Sequence, residues 1–193
     1  FALPSHWPRI VGVDFGVGHP AAIVWMAWDR DSDTLYVYDC WREKDKRIDE
    51  MALVYRPRGA WIPVSWPHDG LQRDKGGSGL QLAVQAKTAG MAMLPERATF
   101  EDGSYGVEAG VSEMLQRMQT RRLRVFGHLN DWFEEFRMYH RKDGVVQKKF
   151  DDLISATRYA FVMRRMARTA PPVVKPRLGP QQPIGGQARW RRG

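Results

Sequence analysis

Arg9-Ile-Val-Gly-Val-Asp14 is a short apolar run that closes on an acid, and Phe15-Gly-Val-Gly18 follows it. An apolar run of this length, bounded by glycines, predicts a buried strand entering a tight turn. Outward from it, Ala21 to Trp28 predicts a second strand. Thr34 to Trp41 alternates and is rich in β-formers, so it predicts a third. The polar stretch Asp29-Arg-Asp-Ser-Asp33 between them makes this pair a hairpin. Together the three strands form an antiparallel meander.

Beyond the meander, strand and helix signals alternate. Asp45 to Tyr55 carries Ile48, Met51, Ala52 and Tyr55 at helical spacing. Gly59 to Trp66 predicts a fourth strand, which Pro63 makes irregular or an edge. Leu71 to Gly79 is a polar, glycine-rich loop. Leu80 to Thr88 predicts a helix, Met91 to Leu94 a short strand, Val107 to Thr120 a helix and Leu123 to Phe126 a strand. Leu129 to Tyr139 predicts an amphipathic helix with Asn130 or Asp131 as its cap. Asp143-Gly144 predicts the turn of a hairpin spanning His140 to Lys149. Asp151 to Arg168 predicts the last helix, acidic at its start and arginine-rich at its end. This order predicts an α/β fold, a mixed sheet with helices on both faces.

Composition limits the partners. The chain has 193 residues and a formal net charge of +8, from 30 Lys and Arg against 22 Asp and Glu. Leu153 to Gly193 holds nine Lys and Arg and no acid, so the preceding body carries a net of −1. Affinity for a polyanion is therefore expected chiefly of the last helix and the tail. Cys40 is the only cysteine, which excludes a disulfide framework and a cysteine zinc site. No apolar run approaches the ~20 residues of a membrane span, so no membrane partner is expected. The start, Phe1-Ala-Leu-Pro, lacks an initiator Met and favours a fragment. Residues 1–8 are expected to be a linker remnant, 9–168 the folded domain, and 169–193, rich in Pro, Gly, Gln and Arg, a disordered basic tail.

Acids fall at three places where sheet proteins put chemistry. Asp14 ends the first strand, Asp69 follows the fourth, and Asp151 and Asp152 begin the last helix. In open α/β sheets, sites form beyond the carboxyl ends of strands. If the first and fourth strands are neighbours, Asp14 and Asp69 lie side by side, and the last helix can bring Asp152 against them. Converging carboxylates repel one another unless a cation offsets them. Hard oxygen donors favour Mg²⁺ or Mn²⁺ over zinc. Two such ions can activate a water and stabilise a leaving oxygen in phosphodiester hydrolysis. In that scheme Asp14 bridges both ions, Asp69 holds one and Asp152 the other. Asp151 can also serve as the third ligand.

Val11-Gly-Val-Asp-Phe-Gly16, Trp66-Pro-His-Asp-Gly70, Gly110-Val-Ser-Glu-Met-Leu115, Arg122-Leu-Arg-Val-Phe126, Trp132 to Tyr139 and Phe150 to Tyr159 resemble the nuclease domain of phage and viral DNA-packaging terminase large subunits. The resemblance runs from about Arg9 to Arg168. It implies an RNase H-like fold related to the RuvC resolvases: an antiparallel first three strands, then parallel strands. It also implies a metal-dependent, largely non-sequence-specific endonuclease that cuts concatemeric double-stranded DNA. The catalytic triad it implies is Asp14, Asp69 and Asp152. Related sequences often carry an acid three residues after the third of these, where this chain has Ser155. Positions 152 and 155 share a helix face, so Ser155 bears on how that end of the site is built. The implied partners of the full-length protein are the portal or procapsid and the small terminase subunit. The implied location is the procapsid-bound motor in the cytoplasm of an infected host. The phosphate-loop pattern G-x-x-x-x-G-K-[ST] is absent from this sequence, so the chain itself is not expected to hydrolyse ATP.

Basic residues near these acids are candidates for DNA contact. Arg73 and Lys75 follow Asp69, and Arg141, Lys142, Lys148 and Lys149 lie in the hairpin before the last helix. His68 is a possible proton-transfer or metal auxiliary beside Asp69, and Ser155 a possible auxiliary beside Asp152. An alternative reading is an assembly module whose basic tail docks on a portal or procapsid, with weak or regulated cleavage.

Overall fold

The computed structural model describes residues 2–16, 18–73, 79–139, 141–142, 145–146 and 151–171. Strands β1 (Arg9–Asp14), β2 (Ala21–Asp29) and β3 (Thr34–Glu43) form the expected antiparallel meander. Helix α1 (Ile48–Tyr55) leads to β4 (Val64–Ser65), which lies parallel to β1. Helices α2 (Leu82–Thr88) and α3 (Val107–Gln119) come next, then β5 (Leu123–Val125), parallel to β3. The sheet order is β4-β1-β2-β3-β5. Helix α4 (Asn130–Met138), the small ladder of β6 (Arg141–Lys142) and β7 (Val145–Val146), and α5 (Asp152–Val162) complete it.

The strands are buried on both faces because helices cover both. Side chains alternate along a strand, so Ile10, Gly12 and Asp14 share the face under α5, while Val11 and Val13 share the other. On the α5 face the contact is backbone to backbone. A Cβ at Gly12 would stand 1.9 Å from the Ala156 carbonyl oxygen and 2.8 Å from the Ala160 nitrogen. Only a glycine opposite this pair of alanines, one turn apart, lets α5 lie directly on β1. The Ser65 hydroxyl donates to the Tyr159 carbonyl at 2.8 Å and ties β4 to the same helix. The Trp132 indole N–H donates to the Thr157 hydroxyl at 2.9 Å and ties α4 to it. The helix that begins with Asp151 and Asp152 is thus anchored to β1, β4 and α4. No helix among the described residues is long and apolar enough to cross a membrane.

Several expectations need correction. The fourth strand shrinks to two residues, because prolines at 63 and 67 bracket it and neither can donate to a ladder. Met91 to Leu94 is no strand. It makes one parallel bridge, Val64 to Met93, beside β4. The last helix ends at Val162, and its arginines fall in a 3₁₀ turn, Arg164–Met166, after which Arg168 returns to bridge Arg9. Neither Asn130 nor Asp131 caps α4. Leu129 holds the cap position and no side chain bonds there.

Candidate active site

Asp14 is the last residue of β1, on the α5 face, and is 9% exposed. The chain then turns sharply through Gly16, at φ +66°, where a Cβ would stand 2.4 Å from the Ala21 nitrogen. This turn aims the Gly16 N–H at the Asp14 carboxylate, 3.2 Å away. It also returns His19 to the site. His19 Nδ1 lies 2.6 Å from Asp152 Oδ1, and Nε2 lies 3.7 Å from Asp14 Oδ1. One imidazole therefore spans a strand-end carboxylate and a helix-start carboxylate.

Asp152 is buried, at the start of α5. The expected cap does not form: Asp151 holds the cap position but its side chain makes no cap bond. Glu135 of α4 does that work. It is fully buried and accepts from the backbone N–H groups of Leu153 at 2.7 Å and Ile154 at 3.3 Å. Its other oxygen accepts from Arg42 of β3 at 2.6 Å. A carboxylate on the first N–H groups of a helix satisfies orphan donors and matches the helix dipole. Glu135 thereby fixes where α5 begins, and with it Asp152. The Asp151 carboxylate instead accepts from the Ser155 hydroxyl at 3.2 Å. Ser155 takes up the position of the extra acid and holds Asp151.

Asp69 sits in a 3₁₀ turn, His68–Leu71, just after β4. The turn packs tightly, since a Cβ at Gly70 would stand 2.4 Å from the Trp66 ring. The Gln72 amide donates to Asp69 at 3.1 Å. Asp14, Asp69, Asp151, Asp152 and Ser155 line one cleft of about 950 Å³, together with His19. Arg42, Lys44, Arg158 and Tyr159 line it too.

Other candidates stand elsewhere. His68 is exposed and does not line the cleft. The Arg73 guanidinium donates to the Gly79 carbonyl at 3.0 Å. Arg141 and Lys142 form β6, where only the backbone is described. Lys75, Lys148 and Lys149 lie outside the described residues. His19, Glu135 and Arg158 are absent from the sequence reading. The signal for Arg158 was in reach, since positions 151, 155 and 158 follow one another at helical spacing.

Burial dominates the electrostatics of the cleft and its surroundings. Burial pushes Asp14 from its ordinary 3.8 up to about 6, although the Gly16 N–H and His19 oppose this. Burial also pushes Glu135 up to about 7, against the pull of Arg42. Asp151 is raised by burial as well, and Ser155 works against the rise. Burial works to lower His19, but the charges of Asp14 and Asp152 outweigh it and hold its pKa above the ordinary 6.5.

Each of these groups binds its proton more tightly in the folded chain, so the folded state holds more protons than the unfolded one as pH rises through this window. Stability then falls with rising pH. In chelator, the melting temperature is expected to decline from about pH 5 to about pH 8 in scanning calorimetry. A melting temperature that climbs over this range would contradict the assignment.

The donor set is hard: four carboxylates and a hydroxyl, with one imidazole. That chemistry suits Mg²⁺ or Mn²⁺. Among the described residues, no three His, Cys, Asp or Glu groups converge tightly enough to hold one ion as they stand. The His19 ring contacts both Asp14 and Asp152, at 3.7 and 2.6 Å.

Residues 11–164 match the family described as the terminase RNaseH-like domain. The chain is 42% identical over 178 residues to the terminase large subunit of Salmonella phage P22, and 42% identical over 165 residues to that of Enterobacteria phage LP7. These matches cover 92% and 85% of this chain but only 36% and 34% of the relatives, so the chain spans about a third of their length. The solved P22 large terminase nuclease domain matches with a TM-score of 0.81 at 42% identity, over 88% of this chain and 87% of that one. The nuclease domain of the large terminase of bacteriophage SPP1, solved with bound Mn, matches with a TM-score of 0.59 at 16% identity. It covers 82% of this chain and 86% of its own, and it supports the fold.

Proposed function

The chain belongs to the terminase RNaseH-like domain family as a large-subunit nuclease domain, and from that premise we propose that it is a metal-dependent endonuclease. It cuts concatemeric double-stranded DNA during phage genome packaging, largely without regard to sequence. The observation that carries this reading is the gathering of Asp14, Asp69, Asp151 and Asp152 in one cleft, from β1, from the turn after β4 and from the start of α5.

In this reading Asp14, Asp69 and Asp152 hold two Mg²⁺ or Mn²⁺ ions, with Asp151 as a further candidate ligand. When bound, such ions supply an activated water and charge stabilisation on the leaving oxygen. The protein's own part is positional. The Gly12–Ala156 contact fixes the height of α5 above β1. Glu135 sets the start of α5, and the Gly16 N–H orients Asp14. His19 keeps the Asp14 and Asp152 carboxylates facing each other across the cleft. Arg73, Lys75, Arg141, Lys142, Lys148 and Lys149 serve as phosphate contacts. In the full-length protein the partners are the portal or procapsid and the small subunit, and the place of action is the packaging motor in the infected cell.

Incubating supercoiled plasmid with the chain tests this directly. Nicked and then linear DNA are expected with Mn²⁺ or Mg²⁺, and none with excess EDTA. Cleavage that persists in EDTA, or intact plasmid under every divalent cation tried, would overturn the reading. The basic composition of Leu153 to Gly193 supports a second, compatible role in docking on a portal or procapsid. Removing residues 172–193 is then expected to abolish that docking and leave cleavage intact.

A further inference from the structure

The cleft is lined with acids, yet a nucleic acid brings negative charge of its own, so some group must receive it. Two guanidinium groups line the cleft. Arg42 is already committed, 2.6 Å from Glu135 and 3.8 Å from Glu134. Arg158 is different. It is only 8% exposed, and among the described residues no carboxylate pairs with it. A buried guanidinium is costly unless its charge finds a partner.

The surroundings of Arg158 hold it in place without neutralising it. Its stem runs past Gly110 of α3, where a Cβ would stand 3.0 Å from both Cγ and Cδ. Its guanidinium carbon lies 4.5 Å from the centroid of the Tyr159 ring, a stacking position. Tyr159 lines the same cleft. A fixed, planar fork of N–H donors, hydrogen-bonded to Tyr159 but met by no carboxylate among the described residues, matches an oxyanion. Because the side chain is already immobilised, binding forfeits little rotamer freedom.

We propose that Arg158, resting on the Tyr159 ring, binds a backbone phosphate of the DNA strand that enters the cleft. This rests on the endonuclease reading above and deepens it. Arg158 would be a buried group inside the cleft that receives the substrate's charge, where Lys44 of the same lining is exposed.

The test is fluorescence anisotropy with a labelled blunt DNA duplex over a series of KCl concentrations. Ca²⁺ replaces Mg²⁺ or Mn²⁺, so that binding is read without cleavage. Arg158→Gln is expected to weaken binding about tenfold, the scale of a lost charge-assisted hydrogen bond. The slope of log K against log salt should fall by about one. Arg158→Lys should keep the slope and still bind several-fold more weakly, since a point charge replaces a fork. Calorimetric Mn²⁺ affinity should stay within about twofold in both variants, because the side chain is no metal ligand in this reading.

A folded Arg158→Gln protein with unchanged affinity and slope overturns the proposal, whereas plasmid cutting by the parent chain would leave the endonuclease reading standing. If Arg158→Gln does not fold, Arg158→Lys decides, and undiminished affinity overturns the proposal. If the parent chain binds duplex with the expected loss in the variants but cuts nothing under Mg²⁺ or Mn²⁺, the endonuclease reading fails and the phosphate contact stands. A parent chain that does not bind duplex at all removes both.

Discussion

Asp14→Asn is expected to lose about a thousandfold in plasmid cleavage rate, the scale of losing stabilisation of developing charge, here through the ions that Asp14 would hold. The same protein should melt higher than the parent at pH 8. Asparagine keeps the shape of the side chain and the carbonyl that accepts from the Gly16 N–H at 3.2 Å. It removes a charge whose burial is unfavourable, since Asp14 binds its proton up to about pH 6 against an ordinary 3.8. That difference amounts to about 3 kcal/mol of stability forfeited at neutral pH when no cation is present. Activity and stability should therefore move in opposite directions. Paired cleavage assays and calorimetry in chelator read both. Retained cleavage would discard Asp14 from the site, and a large drop in melting temperature would make it a structural residue.

Gly12→Ala should be the most damaging small substitution in the chain. The new methyl group would stand 1.9 Å from the Ala156 carbonyl oxygen, and both partners are backbone, so no side chain can swing aside. Overpacking of this kind costs about 3 kcal/mol or more. In a domain of this size that lowers the melting temperature by roughly 6–12 °C. Whatever fold survives must lift α5 from β1 and carry Asp152 away from Asp14, so cleavage should fall further than stability alone explains. Gly127→Ala is the matched control, since its Cβ would meet nothing within 4 Å. Calorimetry that places the two variants within a degree or so of each other would refute the contact.

The meander was legible because its signals are local: alternation in Thr34 to Trp41 and a polar turn before it. That β1 and β4 are neighbours stood only as a condition, and parallel strands after the meander came from the family resemblance; their pairing is what lets Asp14 and Asp69 line one cleft. Other features were out of reach because they depend on tertiary geometry. Nothing in Glu135's neighbours along the chain says that it caps a helix beginning seventeen residues later. Nothing beside His19 in the chain marks it, since only the Gly16 turn and α5 place carboxylates on both sides of its ring. Met91 to Leu94 had the composition of a strand but formed only a single bridge, to Val64, because β4 beside it is two residues long.

The seating of α5 on Gly12 also has a bearing on biosynthesis. Asp14 leaves the ribosome early and Asp152 late, and they meet only after the closing helix has docked onto the opening strand. A partly translated chain therefore carries Asp14 and Asp69 without Asp151 and Asp152. On the endonuclease reading proposed above, the capacity to cut DNA would arise only once this region has been made and folded.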